Sequence, residues 1–394
     1  MGRAGARMGG IGMATRHGWV RHLFASGNTG HGFQSFFDDV AWPEPRRVFV
    51  LKGGPGTGKS AVIRLVAEGL MERGVGVELF HCPSDPASLD GVNAPDLGLA
   101  VVDGTPPHAV EPPLPGLVGR LLSLEATANR DLLAARQAQI DATGRRVRQR
   151  FQLAHRYLGL ALEALTLYED FYHHAGALDL AALDHSAHEI EATIFEGHRV
   201  VRAGRRGRVR RLFASAVTPE GPRHYLDSLL DPLERRVFIR GNPGTGCATL
   251  VERVAEAALR RGLDIEAYHC GLHGRRLDHV IIPELGAAVV HNAYPHTYEP
   301  KRGDLVIDTA AFVDVEALER YREEMEVAQA LFGQAFDQGI WYLRRALMAH
   351  QDLETAYATP ELRAQVEAFA REILAEADAL LAEGTGRHEG QRLA

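Results

Sequence analysis

The clearest chemical signature lies in segment 48–60, which reads Val-Phe-Val-Leu-Lys-Gly-Gly-Pro-Gly-Thr-Gly-Lys-Ser. Gly53, Gly58, Lys59 and Ser60 have the spacing of a phosphate-binding loop. Glycines allow backbone N–H groups to converge on an anion, because glycine adopts positive φ values freely. An apolar strand pattern precedes this loop and a helical pattern follows it. This context disfavours the alternative of an ordinary glycine-rich turn.

Each residue of this segment has an expected role in binding a nucleoside triphosphate with Mg²⁺. Lys59 would neutralise the β- and γ-phosphates, and the Ser60 hydroxyl would bind Mg²⁺. Asp103 ends a buried apolar run and would be the second Mg²⁺ ligand. The residues predicted to bind the nucleotide are Gly53, Gly54, Pro55, Gly56, Thr57, Gly58, Lys59, Ser60 and Ala61.

Carboxylates that could act as a base follow the second predicted strand, which ends at His81 and Cys82. Ligands of parallel sheets bind at the carboxyl ends of the strands. Asp85 and Asp90 are therefore candidate bases or substrate ligands, and Asp85 is a predicted catalytic residue together with Lys59 and Asp103. The alternative role for Asp85 is to close a turn or to cap a helix. Asp103 is followed by a glycine and not by a glutamate, so the sequence does not predict a motor-type hydrolytic site.

A metal site made by His81, Cys82 and His108 is an alternative use of the same region. Adjacent residues of a strand point to opposite faces, so one ion would not reach both His81 and Cys82. The sequence instead predicts a buried cysteine and a hydrogen-bonded histidine near the nucleotide.

The chain contains one long segment twice, which indicates two copies of a domain and not an array of short repeats. Residues 236–248 repeat residues 47–60 with one residue deleted before the glycines. Further pairs return at a constant spacing: His81-Cys82 as His269-Cys270, Asp90 as Asp278, and Pro107-His108 as Pro295-His296.

The two copies differ at the residues that carry the chemistry. Cys247 occupies the position equivalent to Lys59, Ala248 that of Ser60, and His291 that of Asp103. These changes remove the cation, the metal-binding hydroxyl and the acid together, while Gly241, Gly244 and Gly246 remain. We expect the second copy to keep the fold and to bind nucleotide weakly or not at all.

The order of strand and helix patterns predicts an α/β protein with two tandem domains, each with a parallel sheet and a helical appendage. Residues 1–18 are predicted to be a disordered tail. The first domain is predicted over residues 19–200, with its appendage at about 117–198. The second is predicted over residues 201–394, with its appendage at about 315–383.

Composition narrows the function classes. The length of 394 residues fits two or three domains. The net charge of −7 disfavours a general nucleic-acid binder, although the Arg-rich segment 199–211 leaves this class open. Three cysteines without a Cys-x-x-Cys pair favour a reducing compartment, and so a cytoplasmic location. No apolar run reaches the roughly 18 residues of a membrane span.

Four stretches carry a resemblance to a known family: 49–60, 80–92, 101–108 and 212–221. They are similar to a family of uncharacterised bacterial tandem P-loop proteins of the ATPase-like type. The resemblance covers the chain from about Leu23 to the C-terminal helices. It implies the P-loop NTPase fold twice and ATP as the nucleotide. Relatives carry Lys-Ser or Lys-Thr in the second loop, and Cys247-Ala248 departs from that pattern.

These observations predict an ATP-binding protein with Mg²⁺ as its metal, acting as a slow ATPase with one active site in the first copy. Two alternatives stay open. One is a phosphotransferase acting on a small molecule, and the other is a switch or scaffold that binds ATP without turnover. The acceptor molecule or protein partner is not indicated by any residue.

Overall fold

The computed structural model describes residues 18–125, 130–197, 204–294, 296–357 and 362–390, with side chains up to residue 383. The predicted N-terminal tail lies outside these residues except for Gly18. Arg199 and Arg202 of the Arg-rich segment lie outside them as well. We call residues 18–197 the first half and residues 204–390 the second half.

The first half forms β1 (Val20–Leu23), β2 (Ser26–Thr29), β3 (Gly32–Ser35), β4 (Arg47–Lys52), α1 (Lys59–Glu72), β5 (Val77–His81), β6 (Leu89–Ala94), β7 (Leu99–Asp103), β8 (Gly119–Ser123), α2 (Arg130–Ala135), α3 (Gln137–Ala175) and α4 (Leu180–Ile194). The second half forms β9 (Val209–Leu212), β10 (Ser215–Thr218), β11 (Gly221–His224), α5 (Leu226–Leu230), β12 (Arg235–Arg240), α6 (Cys247–Arg260), β13 (Ile265–His269), β14 (Leu277–Ile282), β15 (Ala287–His291), β16 (Leu305–Asp308), α7 (Val315–Glu319), α8 (Arg322–Tyr357) and α9 (Leu362–Gly390).

Each half contains a six-stranded sheet, and the two sheets have the same topology. The strand order is β1-β5-β6-β7-β4-β8 in the first half and β9-β13-β14-β15-β12-β16 in the second. The prediction of an α/β protein with two similar units is confirmed. The prediction of parallel sheets is wrong in one respect, because β6 and β14 are antiparallel to both neighbours and make the sheets mixed.

The antiparallel strands escaped the sequence analysis for a local reason. All six residues of β6 are buried, so the strand shows no alternation, and its Asp, Gly and Asn residues are typical of loops. Short connections join β6 to β5 and β7, and short connections suit antiparallel neighbours. β8 also lies inside the segment predicted to be helical, and α9 continues past the predicted end at residue 383 to Gly390.

The halves exchange helices. One face of the first sheet is covered by α1 and by α9, which comes from the second half. One face of the second sheet is covered by α6 and by α4, which comes from the first half. The buried residues of α9 recur every three or four positions, at Val366, Ala370, Ile373, Ala377 and Leu380. This helical period gives α9 a single apolar stripe, which packs on the opposite half.

The longest helices, α3 and α8, pack side by side. Arg136, directly before α3, donates to the carbonyl of Ala356, and Arg150 of α3 donates to that of Arg345. The residue numbers of the partners increase along α3 and decrease along α8, so the two helices are antiparallel. Tyr157 and Tyr342, which correspond between the copies, stack at 5.4 Å near the middle of this pair.

The remaining faces of the two sheets pack against each other around a buried charged cluster. Arg210 is 1% exposed and binds Glu78 of the first half at 2.6 Å and Glu266 at 3.1 Å. Arg21 binds Glu78 at 3.0 Å and also contacts Glu266. Phe24 and Phe213 exchange backbone hydrogen bonds of 3.0 Å beside the cluster. Each half therefore supplies charges that the other half neutralises.

Two histidines at this interface are held in the neutral form. His81 Nδ1 lies 3.2 Å from the Pro86 carbonyl, which only accepts, so Nδ1 carries the proton. His81 Nε2 must then accept from His22 Nδ1, 2.9 Å away. Tyr225 of the second half stacks on the His81 ring at 4.5 Å. Burial lowers the pKa of His81 to about 4.

Acid should therefore weaken the fold through His81. Its folded pKa lies below the unfolded value of about 6.5, so its contribution is complete above pH ~6.5 and is lost as the pH falls towards 4. We expect the free energy of unfolding to fall by up to ~1.4 kcal/mol per pH unit from this proton. Urea unfolding between pH 7.5 and 5 measures how steeply the free energy of unfolding falls with pH. This slope should be shallower for His81→Gln than for wild type. His188→Gln, on an exposed helix face, should keep the wild-type slope, and equal slopes in all three proteins would contradict the assignment.

Candidate functional site

The glycine-rich loop of residues 53–58, here loop 1, connects β4 to α1. Gly56 and Gly58 have φ values of 71° and 93°, in the left-handed region that favours glycine. α1 begins at Lys59 directly after Gly58. The positive end of the helix and its free N–H groups therefore face the loop.

The structure brings the predicted phosphate-binding and metal-binding side chains together at loop 1. Lys59 Nζ donates to the carbonyls of Gly53 at 2.8 Å and Gly54 at 2.9 Å. The same ammonium group lies 3.7 Å from Asp103 Oδ2. Ser60 Oγ accepts a 2.9 Å hydrogen bond from the Leu89 N–H at the start of β6. The Lys59 ammonium group and the Asp103 carboxylate thus lie together at the carboxyl ends of β4 and β7, and the Ser60 hydroxyl lies on the first turn of α1 beside the start of β6.

The other predicted binding residues lie in or directly after loop 1. Thr57 is buried and its hydroxyl donates to the Gly54 carbonyl at 2.8 Å. Pro55 is half-buried in the loop, and Ala61 is exposed on the first turn of α1. The loop conformation is thus closed by its own hydrogen bonds.

Asp85 and Asp90 have different surroundings. Asp85 accepts hydrogen bonds from the Ser88 hydroxyl at 2.7 Å and the Ala87 N–H at 3.3 Å, so its carboxylate closes its own turn. Its catalytic role stays a prediction. Asp90 lies on β6, and burial together with the charge of Asp103 raises its pKa well above the usual range. His108 lies 3.5 Å from Asp90, and burial lowers the pKa of His108 to about 4.

The corresponding loop of the second half, residues 241–246 (loop 2), has the same shape and different chemistry. Gly244 and Gly246 have φ values of 91° and 90°, and Cys247 begins α6. The Cys247 thiol lies 3.3 Å from the Thr309 hydroxyl and interacts with His291. Burial would raise the pKa of Cys247, but these partners lower it. The lysine–aspartate pair of loop 1 is therefore replaced by a cysteine–histidine pair.

Each loop is packed against helices of the other half. A Cβ atom added to Gly56 would lie 2.6 Å from the Glu354 carbonyl of α8, and one added to Gly58 would lie 2.4 Å from Val366 of α9. In loop 2 the equivalent glycines meet Tyr172 of α3 and Leu183 of α4 at 2.6 Å and 3.0 Å. The retained glycines of loop 2 therefore have a packing role that does not depend on phosphate.

This packing predicts that Gly56→Ala weakens the fold. The substitution combines a strained φ with a clash against the Glu354 backbone, which has no flexible side-chain end to move. We expect a loss of about 2–3 kcal/mol in the free energy of unfolding. Gly74→Ala has a similar φ of 74° and open space around the added atom, so it should lose only ~1 kcal/mol. Equal losses in thermal or urea unfolding would show that α8 does not press on loop 1.

A cavity of about 440 Å³ adjoins loop 2. Cys247, Arg253, Arg276 and His291 line it, and Arg276 is paired with Glu169 of α3 at 2.8 Å. The cavity therefore lies between the second sheet and the helices of the first half.

The Arg-rich segment is less basic in the structure than in the sequence. Its described arginines pair with carboxylates: Arg205 with Asp264, Arg206 with Glu256, Arg208 with Asp264, Arg210 with Glu78 and Arg211 with Asp39. The positive charge of these residues is largely neutralised, which weakens the case for a nucleic-acid surface on residues 204–211.

His279 is a further candidate functional residue that the sequence motifs did not indicate. It aligns with Gly91 of the first half and lies beside Asp278 and His296. The sequence does contain a signal for it, because the second half keeps the aspartate as Asp278 and has His279 where the first half has Gly91.

Searches of family models, of curated proteins and of solved structures each gave no match to this chain. The resemblance to tandem P-loop proteins therefore stays a prediction. Throughout the described residues, every helix is too short or too polar to cross a lipid bilayer.

Proposed function

We propose that this chain is a tandem P-loop protein that binds ATP with Mg²⁺ in its first half and acts as a slow ATPase. The observation that carries the proposal is the contact of Lys59 with Asp103 directly after loop 1, with Ser60 as the next residue of α1. The lysine and the aspartate lie 3.7 Å apart at the first turn of a helix, where the lysine can bind a phosphate group and the aspartate its metal ion. We further propose that both halves share the P-loop NTPase fold.

In this proposal each group of loop 1 has one task. Lys59 exchanges its contacts with the Gly53 and Gly54 carbonyls for phosphate oxygens, and the N–H groups of the loop and of α1 bind the same oxygens. Ser60 and Asp103 would hold Mg²⁺, which supplies charge neutralisation when bound. The second half lacks the lysine, the serine and the aspartate, so it has no equivalent donor set.

A nucleotide-dependent switch is the second candidate, and the packing of loop 1 supports it. Glu354, Tyr357 and Val366 of the second half press on Gly56, Gly54 and Gly58. A change in the loop on binding phosphate would reach α8 and α9 directly. The three free thiols of Cys82, Cys247 and Cys270 suit a cytoplasmic location, which we include in the proposal.

Calorimetry of the full chain with ATP tests the proposal. We expect one binding event that needs Mg²⁺. The absence of any heat with ATP or GTP on folded protein would contradict it. Phosphate release with and without a panel of small-molecule acceptors then separates hydrolysis from phosphotransfer. Tight binding without phosphate release, with altered protease cleavage near α8, would favour the switch.

A further inference from the structure

The second half contains a buried group of one carboxylate and two imidazoles, at Asp278, His279 and His296. One ligand atom from each lies within 4.8 Å of those of the other two. Asp278 Oδ2 and His296 Nε2 are 3.5 Å apart. This separation is too long for an ordinary hydrogen bond. It is close to the distance of ~3.4 Å that separates two ligand atoms of a tetrahedral metal ion with bonds of ~2.0–2.1 Å.

A β-bulge in β14 creates this group. Tyr268 of β13 pairs with His279, and His269 pairs with Leu277, so Asp278 is an extra residue between them. A bulge changes the direction of side chains. The adjacent residues Asp278 and His279 therefore reach one site, although residues of a regular strand would point to opposite faces. His296 comes from the turn after β15, where its N–H donates to the Ala293 carbonyl at 2.9 Å.

Five of the six side-chain polar atoms of this group lack hydrogen-bond partners among the described residues. Both ring nitrogens of His279, both of His296 and Oδ2 of Asp278 are buried without a hydrogen-bond partner among the described residues. Buried polar side chains nearly always have a partner, so five unpaired atoms in one place call for a ligand. A cation bound by these atoms would satisfy several of them together.

The first half has the same frame without the third ligand. Asp90 is the extra residue of an equivalent bulge, and it lies 3.5 Å from His108. Gly91 stands where the second half has His279. The added histidine is therefore specific to the half that has lost the phosphate-binding lysine.

We propose that the second half binds one divalent transition-metal ion of the Zn²⁺ type through Asp278, His279 and His296. Two imidazoles with one carboxylate suit Zn²⁺, whereas Mg²⁺ and Ca²⁺ prefer oxygen ligands alone. His291 Nδ1 lies 3.8 Å from Asp278 Oδ1 and is a further donor for the fourth position. The ion would tie β14 to the turn after β15. This inference does not depend on nucleotide binding in the first half.

Cobalt titration of the chelator-treated full chain tests this site. We expect one equivalent of Co²⁺, with the strong visible absorption of tetrahedral coordination, and its displacement by Zn²⁺. His279→Gly, which installs the residue of the first half, should weaken binding by at least 100-fold. Asp278→Asn, of the same shape, should weaken it by at least tenfold. At one fixed Zn²⁺ concentration, the rise in Tm should be larger for wild type than for either variant.

Two control variants separate this site from the rest of the molecule. His188→Gln, far out on an exposed helix face, should bind Co²⁺ as wild type does. Lys59→Ala should also keep the metal site, even if nucleotide binding in the first half is lost. Circular dichroism of the metal-free variants shows whether they fold. A folded wild type that takes up no Co²⁺, or folded His279→Gly and Asp278→Asn with unchanged affinity, would overturn the proposal.

Discussion

Lys59→Ala is expected to weaken ATP binding by about 100-fold or more, measured by calorimetry in the presence of Mg²⁺. The ammonium group donates to the loop 1 carbonyls of Gly53 and Gly54 and lies 3.7 Å from Asp103. Charge-assisted hydrogen bonds contribute ~1.5–3 kcal/mol each, and two of them to phosphate correspond to a change of that size. The side chain is not part of either apolar sheet core, so the variant should fold.

Cys247→Ala is the matched control, because Cys247 holds the equivalent position at the start of α6. It should bind ATP within about twofold of wild type, since loop 2 lacks the cation and the metal-binding hydroxyl. Unchanged affinity in Lys59→Ala with loss of affinity in Cys247→Ala would move the nucleotide to the second half. Loss in neither variant would show that ATP binds outside both loops.

Arg210→Met is expected to have the largest effect on stability, a loss of about 3–5 kcal/mol in the free energy of unfolding. The guanidinium group is buried between Glu78 and Glu266 and also donates to the carbonyls of Asp39 and Val40. Removing it leaves two buried carboxylates with Arg21 as their remaining described cation. Although burial opposes it, the pull of Arg21 and Arg210 lowers the pKa of Glu266 to about 2, so this carboxylate stays charged.

Arg206→Met provides the comparison, because Arg206 belongs to the same segment and pairs with Glu256 on the surface. An exposed ion pair of this kind contributes ~0–1 kcal/mol. Urea unfolding should therefore separate the two variants by at least about 2 kcal/mol. Similar losses in both would show that the interface cluster does not hold the two sheets together.

The sequence by itself determined the local features of this protein. The glycine spacing of loop 1, the strand before it and the start of the helix after it are encoded within residues 48–60. Lys59 and Asp103, both singled out from the sequence, lie 3.7 Å apart in the structure. The repeated segments were sufficient to establish two similar α/β units, since duplicated patterns fold into duplicated elements. The exchange of Lys59 for Cys247 was equally visible in the aligned copies.

Tertiary structure alone decided which elements meet. The pattern of α9 shows an apolar stripe but not which sheet covers it, so the exchange of α4 and α9 between the halves had no local signal. Arg210 stands in a segment with the composition of a solvated linker, and its burial depends on Glu78, far away in the chain. The bulge at Asp278 follows from pairing between strands, and that pairing overrides the alternation by which neighbouring side chains are expected to point apart.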